Sequence, residues 1–141
     1  MTASVNEIAV PKVVEQHFSP DDARRLVELR RDLHRHPELS WKEQATSERL
    51  VAALASLGIT DVERVAGTGL VARVPGRDRS APIVAVRGDI DALPITENTG
   101  LPFASENPGV MHACGHDVHA SWAVGAAMLL AREPAAGDVL V

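Results

Sequence analysis

A chain of 141 residues is long enough for one domain with a real core, since at this size roughly 68–70% of the unfolded surface is buried. Its 45% hydrophobic and 23% charged residues are ordinary for a globular protein and exclude disorder throughout. A formal net charge of −5, with arginines scattered among acids, argues against a nucleic-acid or anionic-membrane partner, because either calls for a basic patch.

The first twenty residues lack a basic stretch followed by an apolar one, and no apolar run approaches the length of a membrane span, so a cytoplasmic protein is expected. A single cysteine, Cys114, cannot form an internal disulfide, which fits a reducing compartment.

Residues 1–18 carry no sustained period and are expected to form a frayed or loosely docked arm, set apart from a domain over residues 19–141. Ser19-Pro20-Asp21-Asp22 supplies an N-cap, a proline at the first helical position and acids for the positive end of the dipole. It predicts a helix through Ala23, Leu26, Val27, Arg30 and Leu33 that stops before Pro37. Ser40-Trp41-Lys42-Glu43 has the pattern of a capping box and predicts a second helix through Leu50, Leu54 and Leu57, ended by Gly58.

The period then changes. Val62 and Val65 alternate with Glu63 and Arg64, Gly67-Thr68-Gly69 forms a turn, and Leu70 to Val74 returns, which predicts a hairpin. Ile83-Val84-Ala85-Val86 is a continuous apolar run of the kind expected for a central strand buried on both faces. Residues 92–111, with three prolines, two glycines and two asparagines, read as a long ordered loop. From Asp117 to Arg132 the apolar spacing predicts a helix, whose small residues Ser121, Gly125 and Ala126 permit close packing on a sheet. Asp138 to Val141 reads as the opening of another buried strand. The fold class expected is therefore α/β with a mixed sheet, truncated within that last element, with an unpaired sheet edge near Val139-Leu140-Val141 and a tendency to aggregate.

The chemistry is concentrated in His112-Ala113-Cys114-Gly115-His116-Asp117-Val118-His119, which gathers the only cysteine, three of the six histidines and a carboxylate. Thiolate and imidazole are the ligand types that zinc and its divalent neighbours prefer. Cys114 and His116 lie two apart, so an extended backbone would send both side chains to one ion, and Gly115 between them allows a close approach. A lone cysteine is ordinarily a small buried apolar residue, but the flanking histidines favour ligation here. Asp117 is expected either to orient an imidazole or to cap the helix that follows. His112 and His119 have no role assigned by spacing.

Asp89 and Asp91 stand at the carboxyl end of the expected central strand, where open α/β sheets hold ligands. Aspartates also begin turns, yet beside the cysteine–histidine run a role near a metal is favoured for Asp91 and less so for Asp89. Arg87-Gly88-Asp89 spells an adhesion tripeptide, but the end of a buried strand would not present it to a receptor. His34 and His36 are read as dipole and termination chemistry at a helix C-terminus rather than as ligands. Gly67-Thr68-Gly69 lacks the third glycine and following helix of a dinucleotide cradle. A cysteine nucleophile activated by His116 would need an oxyanion-hole signal that this sequence lacks.

Three segments carry a family resemblance: Leu33-His34-Arg35-His36-Pro37-Glu38-Leu39-Ser40, Arg87-Gly88-Asp89-Ile90-Asp91-Ala92-Leu93-Pro94-Ile95, and Pro108-Gly109-Val110-Met111-His112-Ala113-Cys114-Gly115-His116-Asp117. Together they resemble the amidohydrolase branch of the dinuclear metallopeptidases, which includes hippurate hydrolases, N-acyl-amino-acid amidohydrolases and hydrolases of auxin–amino-acid conjugates. The resemblance runs from about residue 20 to the end of the chain and covers about the first third of a typical member.

It implies a mixed α/β catalytic domain holding two divalent ions, zinc or manganese, and hydrolysis of the amide of a small N-acyl amino acid or peptide. It makes Cys114 and His116 metal ligands and Asp91 a carboxylate of the active centre. Asp89 falls where more distant relatives carry a ligand histidine. The general-base glutamate, the remaining ligands and a smaller domain for homodimerisation and substrate closure are expected from chain beyond residue 141. The alternative is a non-catalytic remnant or a weak metal-binding interaction module.

Overall fold

The computed structural model describes residues 11–141, so the first ten residues of the expected arm lie outside the described residues. Of the rest of that arm, Lys12–His17 forms a short helix, α1, with no buried side chain; the exposed His17 Nδ1 lies 3.0 Å from Glu133 Oε1.

Helix α2 (Pro20–Arg35) starts as its sequence predicts. The Asp22 backbone N–H donates to Ser19 Oγ at 3.2 Å, and the Ser19 backbone N–H donates back to Asp22 Oδ2 at 2.9 Å, which satisfies two donors that a helix start leaves open. The Asp22 carboxylate also receives both terminal nitrogens of Arg132, at 2.8 and 2.7 Å. The Arg132 hydrogen bond, then the Ser19 bonds, hold the Asp22 carboxyl well below the usual carboxylate range.

Helix α3 (Gln44–Ser56) begins three residues later than the capping box predicts, with Glu43 and not Ser40 at its N-cap. Trp41 adopts a left-handed φ of 67°, so no helix can grow from Ser40. The cap comes from outside: the Glu38 carboxylate accepts the Ala45 N–H at 3.3 Å, the Thr46 N–H at 2.7 Å and the Thr46 hydroxyl at 2.8 Å. The helix ends as predicted at Gly58, whose φ of 79° lets its N–H reach Ala55 O while the Ile59 N–H reaches Leu54 O.

Strands β1 (Val62–Val65) and β2 (Gly69–Val74) form the expected antiparallel hairpin, with Val62 opposite Ala72 and Val65 opposite Gly69. Two further strands, β3 (Val84–Ala85) and β4 (Val139–Leu140), flank helix α4 (His116–Arg132) in the chain. Sheet order is β1-β2-β4-β3, with β4 antiparallel to β2 and parallel to β3, so the domain is mixed α/β as expected.

The expected places of the last two strands are exchanged. The apolar run at Ile83–Val86 is not a buried central strand: β3 is an edge, with Ile83 53% and Val84 58% exposed. Strand β4, like β2, is paired on both sides, so the sheet edges lie at β1 and β3 and not at Val139–Val141. Helices α3 and α4 pack against β2 and leave β3 uncovered.

Helix α4 turns Gly125 toward α2. A side-chain carbon placed on Gly125 would stand 3.1 Å from Leu26 Cδ1, so the close packing expected against a sheet is made here against a helix. One apolar cluster, Leu33, Leu50, Ala120 and Val124, joins α2, α3 and α4; a second, Leu54, Ile59, Ala72, Val74 and Ala127, joins α3 and α4 to the sheet.

Residues 92–111 form the expected loop, stitched by isolated bridges between Leu39 and Ala92 and between Leu93 and Met111. Asn107 Nδ2 donates to Pro37 O at 2.7 Å, and the Glu106 N–H to Arg35 O at 2.8 Å, tying it to the end of α2. Among the described residues no helix is long and apolar enough to cross a membrane.

Candidate metal centre

The Leu93–Met111 bridge closes the loop and sets Asp91, just before it, beside the start of α4, just after it. Gly115 caps that helix with a left-handed φ of 82°, a conformation that suits glycine. Cys114-Gly115-His116 is therefore a turn entering a helix, not the extended segment that would send both side chains one way.

His116 Nδ1 lies 2.9 Å from the Asp91 backbone oxygen and 2.9 Å from Asp91 Oδ1. Both partners only accept, so Nδ1 carries a proton and Nε2 is the ring nitrogen left to face a ligand. A carboxylate that orients an imidazole in this way is the usual support of a metal-binding histidine.

Donor atoms of Asp89, His116 and His119 lie within 4.8 Å of one another, each residue half-buried. His116 and His119 stand one turn apart on α4 with ring centroids 5.3 Å apart. Asp89 reaches them because Gly88 passes so close to the helix that an added side-chain carbon would meet the His119 carbonyl oxygen at 2.6 Å. Asp89 Oδ1 also holds the exposed Arg87, at 3.1 Å to Nε and 2.8 Å to Nη2. The two aspartates have separate roles, since Asp91 braces His116 whereas Asp89 joins the convergent donors. Cys114 is exposed and stands outside that trio.

Asp117 neither caps α4 nor touches His116. Fully buried, its Oδ2 accepts from His34 Nδ1 at 2.8 Å and lies 2.7 Å from Arg30 Nε, while the other ring nitrogen of His34 lies 3.2 Å from Glu97 Oε1. His34 is thus a buried network residue and not the dipole and termination group expected; that description holds for His36, whose Nδ1 lies 2.9 Å from Asp32 O. Sequence reasoning missed Arg30, His34 and Glu97. The i, i+4 spacing of Arg30 and His34 places them on one side of α2, but nothing local marks Glu97.

Buried His112 has no partner at either ring nitrogen among the described residues. Burial lowers its pKa against the opposing pull of Asp117, so the ring is neutral at neutral pH. Two imidazoles one turn apart, one of them braced by Asp91, and a nearby carboxylate form a donor set that fits a divalent ion.

Fold and donor set define the class: a mixed α/β domain with a candidate centre for a divalent ion. Residues 85–140, which span Asp89 through His119, match the model of peptidase family M20/M25/M40, in line with the resemblance that the sequence motifs carry. It is 50% identical over 108 residues to the N-acetylcysteine deacetylase of Bacillus subtilis, covering 75% of this chain and 28% of that protein. With the N-acyl-L-amino acid amidohydrolase of Geobacillus stearothermophilus it shares 43% identity over 107 residues, 76% of this chain and 29% of that protein. The crystal structure of the Bacillus subtilis YXEP protein, a dinuclear metal binding peptidase of the M20 family, superposes with a TM-score of 0.82 at 44% identity, over 87% of this chain and 35% of that one. The chain thus spans less than a third of the length of the deacetylase and of the amidohydrolase.

Proposed function

We propose that residues 19–141 form the N-terminal part of the catalytic domain of a cytoplasmic metal-dependent amidohydrolase, which cleaves the amide bond of N-acyl amino acids or small peptides. The His116–Asp91 contact, beside the convergence of Asp89 and His119 on the same imidazole, carries this reading. The substrate class is drawn from the relatives named above.

In this reading Cys114 and His116 are metal ligands, and the complete enzyme holds two divalent ions, zinc or manganese. Bound ions supply Lewis acidity, lowering the pKa of a water and polarising the scissile carbonyl. Asp91 holds the His116 Nδ1 proton, so that the ring presents one tautomer and one orientation. Asp89 and His119 add a carboxylate and a second imidazole one helical turn away. The general base, the remaining ligands and any dimer-forming domain come from chain outside these residues. A metal-binding module without turnover is the second reading, favoured by the exposure of Cys114.

Equilibrium dialysis against zinc tests the centre. We expect uptake by the wild-type chain and a roughly 10–100-fold weaker affinity on Asp91→Asn, the usual effect of removing a bracing carboxylate. Equal affinity in His116→Ala and the wild type would sink the assignment. Release of amino acid from N-acetylated amino acids, assayed with zinc or manganese on a protein that also carries the general base and the remaining ligands, separates hydrolase from module.

A further inference from the structure

His34 is held on both sides. Its Nδ1 lies 2.8 Å from Asp117 Oδ2 and its Nε2 3.2 Å from Glu97 Oε1, and all three side chains are almost wholly buried. Carboxylates only accept, so each contact requires an N–H from the ring. Burial alone would raise the Glu97 carboxyl, but the Thr99 hydroxyl, the Ser105 N–H and His34 together bring it below its ordinary value and keep it an acceptor. Arg30 Nε also stands 2.7 Å from Asp117 Oδ2, so a guanidinium shares that carboxylate with the ring.

The two carboxylates belong to opposite approaches to the centre. Asp117 follows His116 in the first turn of α4. Glu97 lies in the loop that leaves Asp91 and returns at His112, and Phe103 of the same loop packs edge-on to His34 at 5.6 Å, with Arg30 and Arg31 over its ring.

We propose that His34 is a positioning residue of the metal centre: by donating from both ring nitrogens, to Asp117 and to Glu97, it locks the first turn of α4 and the 92–111 loop onto α2, and so fixes the His116 ring against Asp91. With both nitrogens engaged it is not itself a ligand. The inference rests on the reading of His116 as a ligand, but its geometry can be tested without metal.

Nitrogen-15 spectra of the histidines in the 141-residue protein provide the first measurement. We expect two N–H signals from the His34 ring and a protected Nδ1–H from His116 in its bond to Asp91; a single ring N–H at His34 overturns the inference. In Glu97→Ala, altered in a loop outside both apolar clusters, the His116 signal is expected to shift or to exchange rapidly, and zinc affinity to fall by about tenfold. His34→Gln is expected to do the same, and Glu97→Ala decides the matter where His34→Gln does not fold. An unchanged His116 signal in folded Glu97→Ala overturns the inference. A wild-type protein that takes up no zinc, yet whose His116 signal moves in Glu97→Ala, defeats the metal reading and leaves the positioning role standing.

Discussion

His116 and Asp91 reach their shared contact from two sides that are held by different means. Helix α4 arrives packed along α2 and α3, with Leu33, Leu50, Ala120 and Val124 in one buried cluster and the Asp117–His34–Glu97 network at its start. The segment carrying Asp89 and Asp91 arrives from β3, a two-residue edge strand flanked by Ile83 and bearing Val84, both more than half exposed. One side is set by burial, the other by a few close backbone approaches: Gly88 against His119 O, and Ala92 N–H on Glu38 O at 2.8 Å. The histidines therefore sit on the stiffer frame, and the aspartates take their places from contact with it.

That contrast can be broken or sharpened by substitution. Asp117→Ala should have the largest effect, about 3–5 kcal/mol, because it leaves buried His34 facing only Glu97 and strips Arg30 of its partner. Urea unfolding measures it, and a loss below about 1 kcal/mol would show that the network does not hold the α2 side. Leu33→Ala is expected to cost about 2–5 kcal/mol, against no more than about 0.5 kcal/mol for Val84→Thr on the exposed edge. Equal losses in that pair would erase the distinction between the two sides. Gly88→Ala should be intermediate, about 1–3 kcal/mol, since the added carbon meets a backbone oxygen that cannot swing aside. It should also weaken zinc uptake by moving Asp89, whereas Val84→Thr should leave uptake unchanged.

What is legible in the sequence is what neighbours in the chain decide. Ser19-Pro20 and Gly58 mark helix ends through local hydrogen bonds and dihedral angles, and Gly67-Thr68-Gly69 marks the hairpin. The start of α3 is not legible in this way, because its cap, Glu38, acts from outside the helix while Trp41 blocks a start at Ser40. An apolar run shows that a strand is possible but not which neighbour covers it, so the run at β3 suggests the central place that β4 holds. At the centre, residue types point to metal chemistry, but the division of labour depends on contacts across the fold. Asp117 braces a histidine 83 positions away, and Asp91 and Asp89, two apart, serve different ends of the site.

The pairing of Asp22 with Arg132 at one end and of His34 with Asp117 at the other has a mechanical consequence. Each pair joins the start of one helix to the end of the other, so α2 and α4 run antiparallel as two rods pinned at both ends. A single pin would leave α4 free to swivel about its long axis, and apolar packing alone would let it slide by a fraction of a turn. Two pins remove both freedoms, so the azimuth of His116 and His119 is fixed by a bolt at the far end of the lever, Asp22–Arg132, as well as by the one beside the imidazoles.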